Sequence, residues 1–149
     1  MRAVVQRVSE ASVGVEGKTV SAIGRGLLVL LGVGRQDEAT DVDYLVEKVL
    51  NLRIFPDEEG HMNRSVLDVR GAILAVSQFT LYGDVRRGRR PGFSDAAAPE
   101  IASDHSPAFV RGLGRSGLTI GAGIFRTHME VRLTNDGPVT ILVDSRKEF

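Results

Sequence analysis

Two short polar stations hold the side chains best suited to chemistry: Ser77-Gln78-Phe79-Thr80, and Asn135-Asp136-Gly137-Pro138-Val139-Thr140. The first places two hydroxyls and an amide directly behind the apolar run Ile73–Val76. Hydroxyls can attack a carbonyl or bond to it, and an amide both donates and accepts. The same groups could equally close backbone bonds at the end of a strand. Gly137-Pro138 has a bland reading too, as a hairpin turn with proline where a missing N–H does no harm.

Other chemistries are excluded or weakly supported. Cysteine is absent, so disulfides, thiolate metal sites and a cysteine nucleophile are all ruled out. His61, His105 and His128 share no HxH or HExxH spacing and point to no metal centre. His128 is expected on the outer face of a strand. No GxSxG elbow announces a serine triad. Gly112–Gly117, GLGRSG, matches GxGxxG but follows a helical segment and precedes a strand, the reverse of a dinucleotide site. No cofactor is implied. Arg86, Arg87, Arg89 and Arg90 cluster around a glycine, a loop that either reaches phosphates or is merely solvated.

The elements that must position these residues are legible from periodicity. Strands are expected over Ala3–Val8, Ala11–Val15, Thr19–Ile23 and Leu27–Val33, with turns at Glu16-Gly17 and Gly24–Gly26. Thr40 stands as an N-cap before a helix whose Val42, Leu45, Val46 and Val49 share one face. Ala72–Val76 is the strand that delivers Ser77. A second helical segment begins at Pro99, and Pro107 predicts a break in it. Alternation from Phe125 to Thr134 predicts one strand, with Phe125 and Met129 on its inner face, then a turn at Thr134–Pro138 and a closing strand through Val139, Ile141 and Val143. The fold expected is a single α+β domain over residues 1–149, with mainly antiparallel sheets curling into a barrel-like core and two helical segments outside.

Bulk properties agree with one compact domain: 149 residues, 42% of them apolar. The charged N-terminus reads as neither signal nor transit peptide, and Leu27–Leu31 is too short to span a bilayer. A cytoplasmic protein is expected, with no membrane partner. Lysine plus arginine equals aspartate plus glutamate at 19 each, so any nucleic-acid contact must come from a local patch.

Six segments, in order, carry a likeness over nearly the whole chain: MRAVVQRVSEASVGVEG, GRGLLVLLGV, LRIFPDEEGHMN, AVSQFTLYGD, RRGRRPGFSDAAAP and NDGPVT. Through them the sequence resembles the D-aminoacyl-tRNA deacylases, homodimeric enzymes that hydrolyse the ester between a D-amino acid and the terminal adenosine of tRNA. The resemblance implies that Ser77, Gln78, Phe79 and Thr80 line the pocket for the 3′ end of aminoacyl-tRNA. It implies that Gly137-Pro138 has a cis peptide bond, enters the pocket of the other subunit and screens the amino acid by shape. It gives Phe79, Phe125 and Met129 a role beside the adenine, with ordinary core packing as the rival for Phe125 and Met129. It leaves two routes to hydrolysis, Thr80 as nucleophile or the tRNA 2′-OH assisting water, and a non-catalytic tRNA-end binding module stands as a further rival. One departure is Arg126-Thr127, where the family usually has small residues after the phenylalanine.

Overall fold

The computed structural model describes all 149 residues, and its organising element is one long strand. β1 (Arg2–Val15) was expected as two strands, but the polar pair Ser9-Glu10 does not interrupt it. Its first half pairs antiparallel with β3 (Gly26–Gly32), its second half with β2 (Lys18–Ile23), and its other edge runs along β8 (Glu130–Asp144). Register shifts at Gln6/Val8 and Val8/Glu10 let the long strand bend.

Beyond β3 the sheet turns parallel. β6 (Ala72–Ser77) lies beside β3 and β7 (Ile120–Ala122) beside β6. Parallel neighbours need crossovers, and each crossover here contains a helix: α1 (Ala39–Asn51) before β6 and α2 (Pro99–Gly114) before β7. Two short strands, β4 (Phe55–Pro56) and β5 (Met62–Arg64), form a separate ribbon. The result is an α+β fold whose mixed, mainly antiparallel sheet curls toward a barrel, with both helices outside.

Strand alternation sorts the core. Leu27, Val29, Leu31, Ile73 and Ala75 face the helices, meeting Val42, Leu45 and Val49 of α1 and Phe109 and Leu113 of α2. Leu28, Leu74 and Val76 point into the curl, where they join Val8, Val13 and Ile23. Burial on both faces explains why β3 and β6 read as unbroken apolar runs.

Both helices correct the expectation in detail. α1 begins at Ala39 with Glu38 as its N-cap, because Asp41 three residues on accepts the Glu38 N–H at 2.8 Å; Thr40 is already inside the first turn. α2 runs unbroken through Pro107. Proline costs about 3 kcal/mol in a helix interior, yet Ala102 on one side of it and Phe109 and Leu113 on the other all pack against one core. Tertiary burial outweighs the local defect. The GLGRSG string has a packing role: a Cβ on Gly112 would stand 2.8 Å from Val46 Cγ2, so glycine lets α1 and α2 approach.

A polar knot fastens the chain ends. The Met1 ammonium lies 2.8 Å from Asp37 Oδ1, while Asp37 Oδ2 accepts the Gly34 N–H at 2.6 Å. Arg146 Nε stands 3.4 Å from the same carboxylate, and the Tyr82 hydroxyl approaches it at 3.5 Å. Burial, and then the Asp37 charge, push the Tyr82 hydroxyl well above its ordinary pKa. No helix is long and apolar enough to cross a membrane.

Candidate active site

β6 ends at Ser77, and the chain then tightens into a 3-10 turn over Phe79–Tyr82. The parallel register with β3 holds this end in place, with Gln78 N–H donating to Leu31 O at 2.7 Å. Ser77 sits in phase with Ile73 and Ala75, so its side chain faces the helices. Its Oγ lies 3.4 Å from Oγ of the buried Ser106 on α2. Gln78 falls on the other side, and its Nε2 donates to Thr80 Oγ1.

A cavity of about 740 Å³ opens beside this strand end. Ser77, Gln78 and Phe79 form one wall, Phe93 and the start of α2 (Pro99, Ala102) another, and the segment Phe125–Met129 a third. Phe79 is 57% exposed, unusual for so large an apolar ring. It meets Phe93 edge to face with centroids 5.0 Å apart. Behind Ser77 and Phe125, a smaller cavity of about 270 Å³ reaches Ser106, Pro107 and Arg111.

The third wall departs from expectation. Phe125–Met129 is not strand, and β8 begins only at Glu130. The chain must reverse between β7 and β8, and Arg126 takes a left-handed φ of 58° to do so. The polar–apolar alternation across 125–129 therefore assigns no sheet faces. Phe125 and Met129, expected on the inner face of a strand, line the cavity from this loop, and Arg126, Thr127 and His128 line it too. His128, expected outside, is at the cavity wall with no hydrogen-bond partner to orient its ring.

Gly137-Pro138 also lies in a different local structure from the expected hairpin. β8 does not reverse there; it runs through to Asp144. Gln6 pairs with Thr140 and Val8 with Asn135, so one residue of β1 faces four of β8, and Asp136–Val139 is thrown out as an arc. The Asn135 side chain staples the arc, with Oδ1 accepting the Val139 N–H at 2.7 Å and Nδ2 donating to Val139 O at 3.0 Å. Arg7 supports it from below, donating to Asp136 O at 2.8 Å and Ile54 O at 2.6 Å. The Gly137–Pro138 peptide is cis, the state the resemblance implies.

Of the eight residues singled out in the sequence, five converge on one cavity: Ser77, Gln78, Phe79, Phe125 and Met129. Thr80 is exposed and outside the lining, and Gly137 and Pro138 are on the arc, also outside it. Phe93, Ser106 and Arg7 had not been singled out. Phe93 left one trace, as an aromatic directly after the arginine-glycine loop; the others are brought in by long-range contacts that no local spacing records.

The cavity walls hold aromatic rings, hydroxyls, an amide, the His128 imidazole and the Arg126 guanidinium, with no aspartate, glutamate or lysine. Such a site can stack a flat ring and hydrogen-bond a carbonyl group, but it presents no paired acid and base. Fold and cavity together define an α+β protein that positions a ligand more than it titrates against it.

The chain belongs to the D-Tyr-tRNA(Tyr) deacylase family, whose model matches residues 4–144. It is 62% identical over 149 residues to a D-aminoacyl-tRNA deacylase of Symbiobacterium thermophilum, covering all of this chain and 99% of the relative. It is 58% identical to a D-aminoacyl-tRNA deacylase of Clostridioides difficile over the full length of both. Among solved structures, the c-Myc DNA Unwinding Element Binding Protein superposes with a TM-score of 0.91 at 46% identity, covering 97% of this chain and 98% of that one.

Proposed function

We propose that this protein hydrolyses the ester joining a D-amino acid to the terminal adenosine of tRNA, and that it also clears glycyl-tRNA. The observation that carries the reading is the aromatic cavity at the end of β6, in a chain that matches deacylases over its whole length. Phe79 and Phe93 on adjoining walls, with Phe125 and Met129 on the third, suit the adenine.

An aminoacyl ester is already activated, so a modest lowering of its barrier suffices. In the 3-10 turn the first donor with an acceptor inside the turn is Leu81 N–H, to Gln78 O at 3.2 Å. The N–H groups of Phe79 and Thr80 precede it and have no acceptor within the fold, which suits them to a developing oxyanion, where one donor contributes about 2.7 to 4 kcal/mol. The side-chain partner of Thr80 is the Gln78 amide, which donates to it and cannot take its proton. A threonine nucleophile needs a base. The tRNA 2′-OH therefore assists: water adds to the ester carbon, the acyl–O3′ bond breaks, and the water's proton passes to the departing 3′ oxygen.

Chirality is set by exclusion. If the carbonyls of Gly137 and Pro138 hold the substrate amino group, an L side chain collides with the dipeptide, a D side chain points away, and glycine passes. The arc lies outside its own chain's cavity, so the screen comes from a second copy. A homodimer is supported by the outer edge of β8, which has no strand partner and exposes Leu133 and Leu142.

Ester loss from D-tyrosyl-, L-tyrosyl- and glycyl-tRNA tests the reading. Fast loss of the D and glycyl esters, with the L ester at its spontaneous rate, is expected. Equal loss of D and L esters contradicts the screen. Binding without loss of any ester leaves a tRNA-end binding module.

A further inference from the structure

The loop from Asp84 to Gly92 is built onto the cavity wall. Asp84 and Gly92 exchange two backbone hydrogen bonds of 2.8 and 2.9 Å, closing the loop at its base. One residue further on, Phe93 packs on Phe79 and lines the cavity. Whatever the loop holds is therefore beside the entrance to the site.

Its four arginines are not equivalent. Arg86 is occupied, since its Nε and Nη2 donate to the two oxygens of Asp84 at 2.9 and 2.7 Å. Those bonds hold the Asp84 carboxyl down at about 2. The folded pKa is depressed, so the pair is intact above the ordinary carboxylate range and is lost only as pH falls through about 2. Asp95, the next acid along the chain, lies 3.8 Å from Arg35. Arg87, Arg89 and Arg90 are exposed and have no carboxylate within 4.0 Å. Arg2, Arg7, Arg64, Arg132 and Arg146 each have one, and Arg25, Arg53, Arg70, Arg111, Arg115 and Arg126 do not, but only on this loop do three unpaired arginines fall within four residues. In a chain with balanced charge, three unpaired guanidinium groups on one locked loop make a local positive patch.

We propose that Arg87, Arg89 and Arg90 bind the backbone phosphates of the RNA strand that leads into the cavity. The assignment rests on the reading of that cavity as the seat of a tRNA 3′ end. Guanidinium forks match phosphate oxygens two bonds at a time and carry no base preference, as suits an enzyme that must accept tRNAs of many sequences. The Asp84–Arg86 pair acts as the brace that keeps the loop raised, so Arg86 is a positioning residue.

The triple variant Arg87→Gln, Arg89→Gln, Arg90→Gln tests this, with D-tyrosyl-tRNA and D-tyrosyl-adenosine as parallel substrates over a salt series. On D-tyrosyl-tRNA, KM is expected to rise about tenfold or more with kcat little changed, and the slope of log KM against log salt to fall by about 2, at roughly 0.7 per single-strand phosphate. The penalty should shrink to about twofold or less on D-tyrosyl-adenosine, which has no phosphodiester to lose. Anisotropy of labelled, uncharged tRNA should show the same loss of affinity and of salt slope. An unchanged KM, affinity and salt slope would overturn the assignment, and so would an equal loss on both substrates, which means the loop only shapes the Phe93 wall. If the wild-type protein hydrolyses no D ester, the deacylase reading alone fails, and the anisotropy comparison still decides the loop.

Discussion

Asp37 gathers an ammonium, a guanidinium, a backbone N–H and a phenol within 3.5 Å, whereas the walls of the main cavity contain no aspartate, glutamate or lysine. By charge and burial alone, the Asp37 knot looks the more like an active site. It nevertheless ties the first residue to the Gly34–Asp37 turn and to the C-terminal segment, so its work is structural. The cavity is weakly charged, with exposed rings, which suits the proposed positioning of an activated ester. Concentrated charge marks a place where folding needs it, and catalysis need not be there.

That contrast is open to direct attack, most strongly at the knot. Asp37→Asn takes from the buried Met1 ammonium its nearer counter-charge, leaving only Asp41 at 4.0 Å, and breaking such a buried pair costs about 3–5 kcal/mol. The melting temperature should drop by roughly 10 °C, while the ratio of D to L ester loss in the folded fraction stays as in the wild type. A changed ratio would mean the knot reaches the chemistry.

The arc gives the next largest effect, expressed in selectivity. Gly137 has a φ of 146°, and an added Cβ would stand 2.7 Å from Val139 Cγ2 and 2.9 Å from Val139 N. Gly137→Ala must displace the dipeptide, so D-over-L discrimination should fall by about tenfold or more, about 1.4 kcal/mol. Unaltered discrimination would place the chiral screen elsewhere.

Smaller effects come from the third wall and from Thr80. Arg126→Gly removes the cost of a left-handed non-glycine residue and should stabilise the fold by about 1 kcal/mol, read from chemical denaturation. A destabilised variant would show that the Arg126 side chain earns its place through contacts at the cavity. Thr80→Ala should keep its rate within about threefold, since the hydroxyl lies outside the cavity lining and has no base beside it.

Much of this was legible in the sequence, for physical reasons that differ by element. α1 declared itself through apolar spacing, and β3 and β6 through runs buried on both faces. The polar end of β6 was visible because Ser77 and Gln78 break such a run. The departures share a cause: Pro107, the 125–129 alternation and the Asp136–Val139 arc each carry a local signal that tertiary structure overrides. Pro107 is held by packing on both sides, the alternation lies on a reversal between β7 and β8, and the arc is a bulge because β1 continues past it. Phe93 and Ser106 reach the site from 14 and 29 residues beyond Phe79 and Ser77, distances over which no periodic pattern speaks.

In the proposed mechanism the protein positions the ester while the RNA supplies the assisting hydroxyl. Single-turnover hydrolysis of D-tyrosyl-tRNA ending in 2′-deoxyadenosine, beside the normal substrate, tests it most directly. A loss of about a hundredfold or more in rate, roughly 2.7 kcal/mol, with binding intact, is the predicted result. Cleavage of the deoxy end at the normal rate would contradict it and return the chemistry to a side chain of the protein.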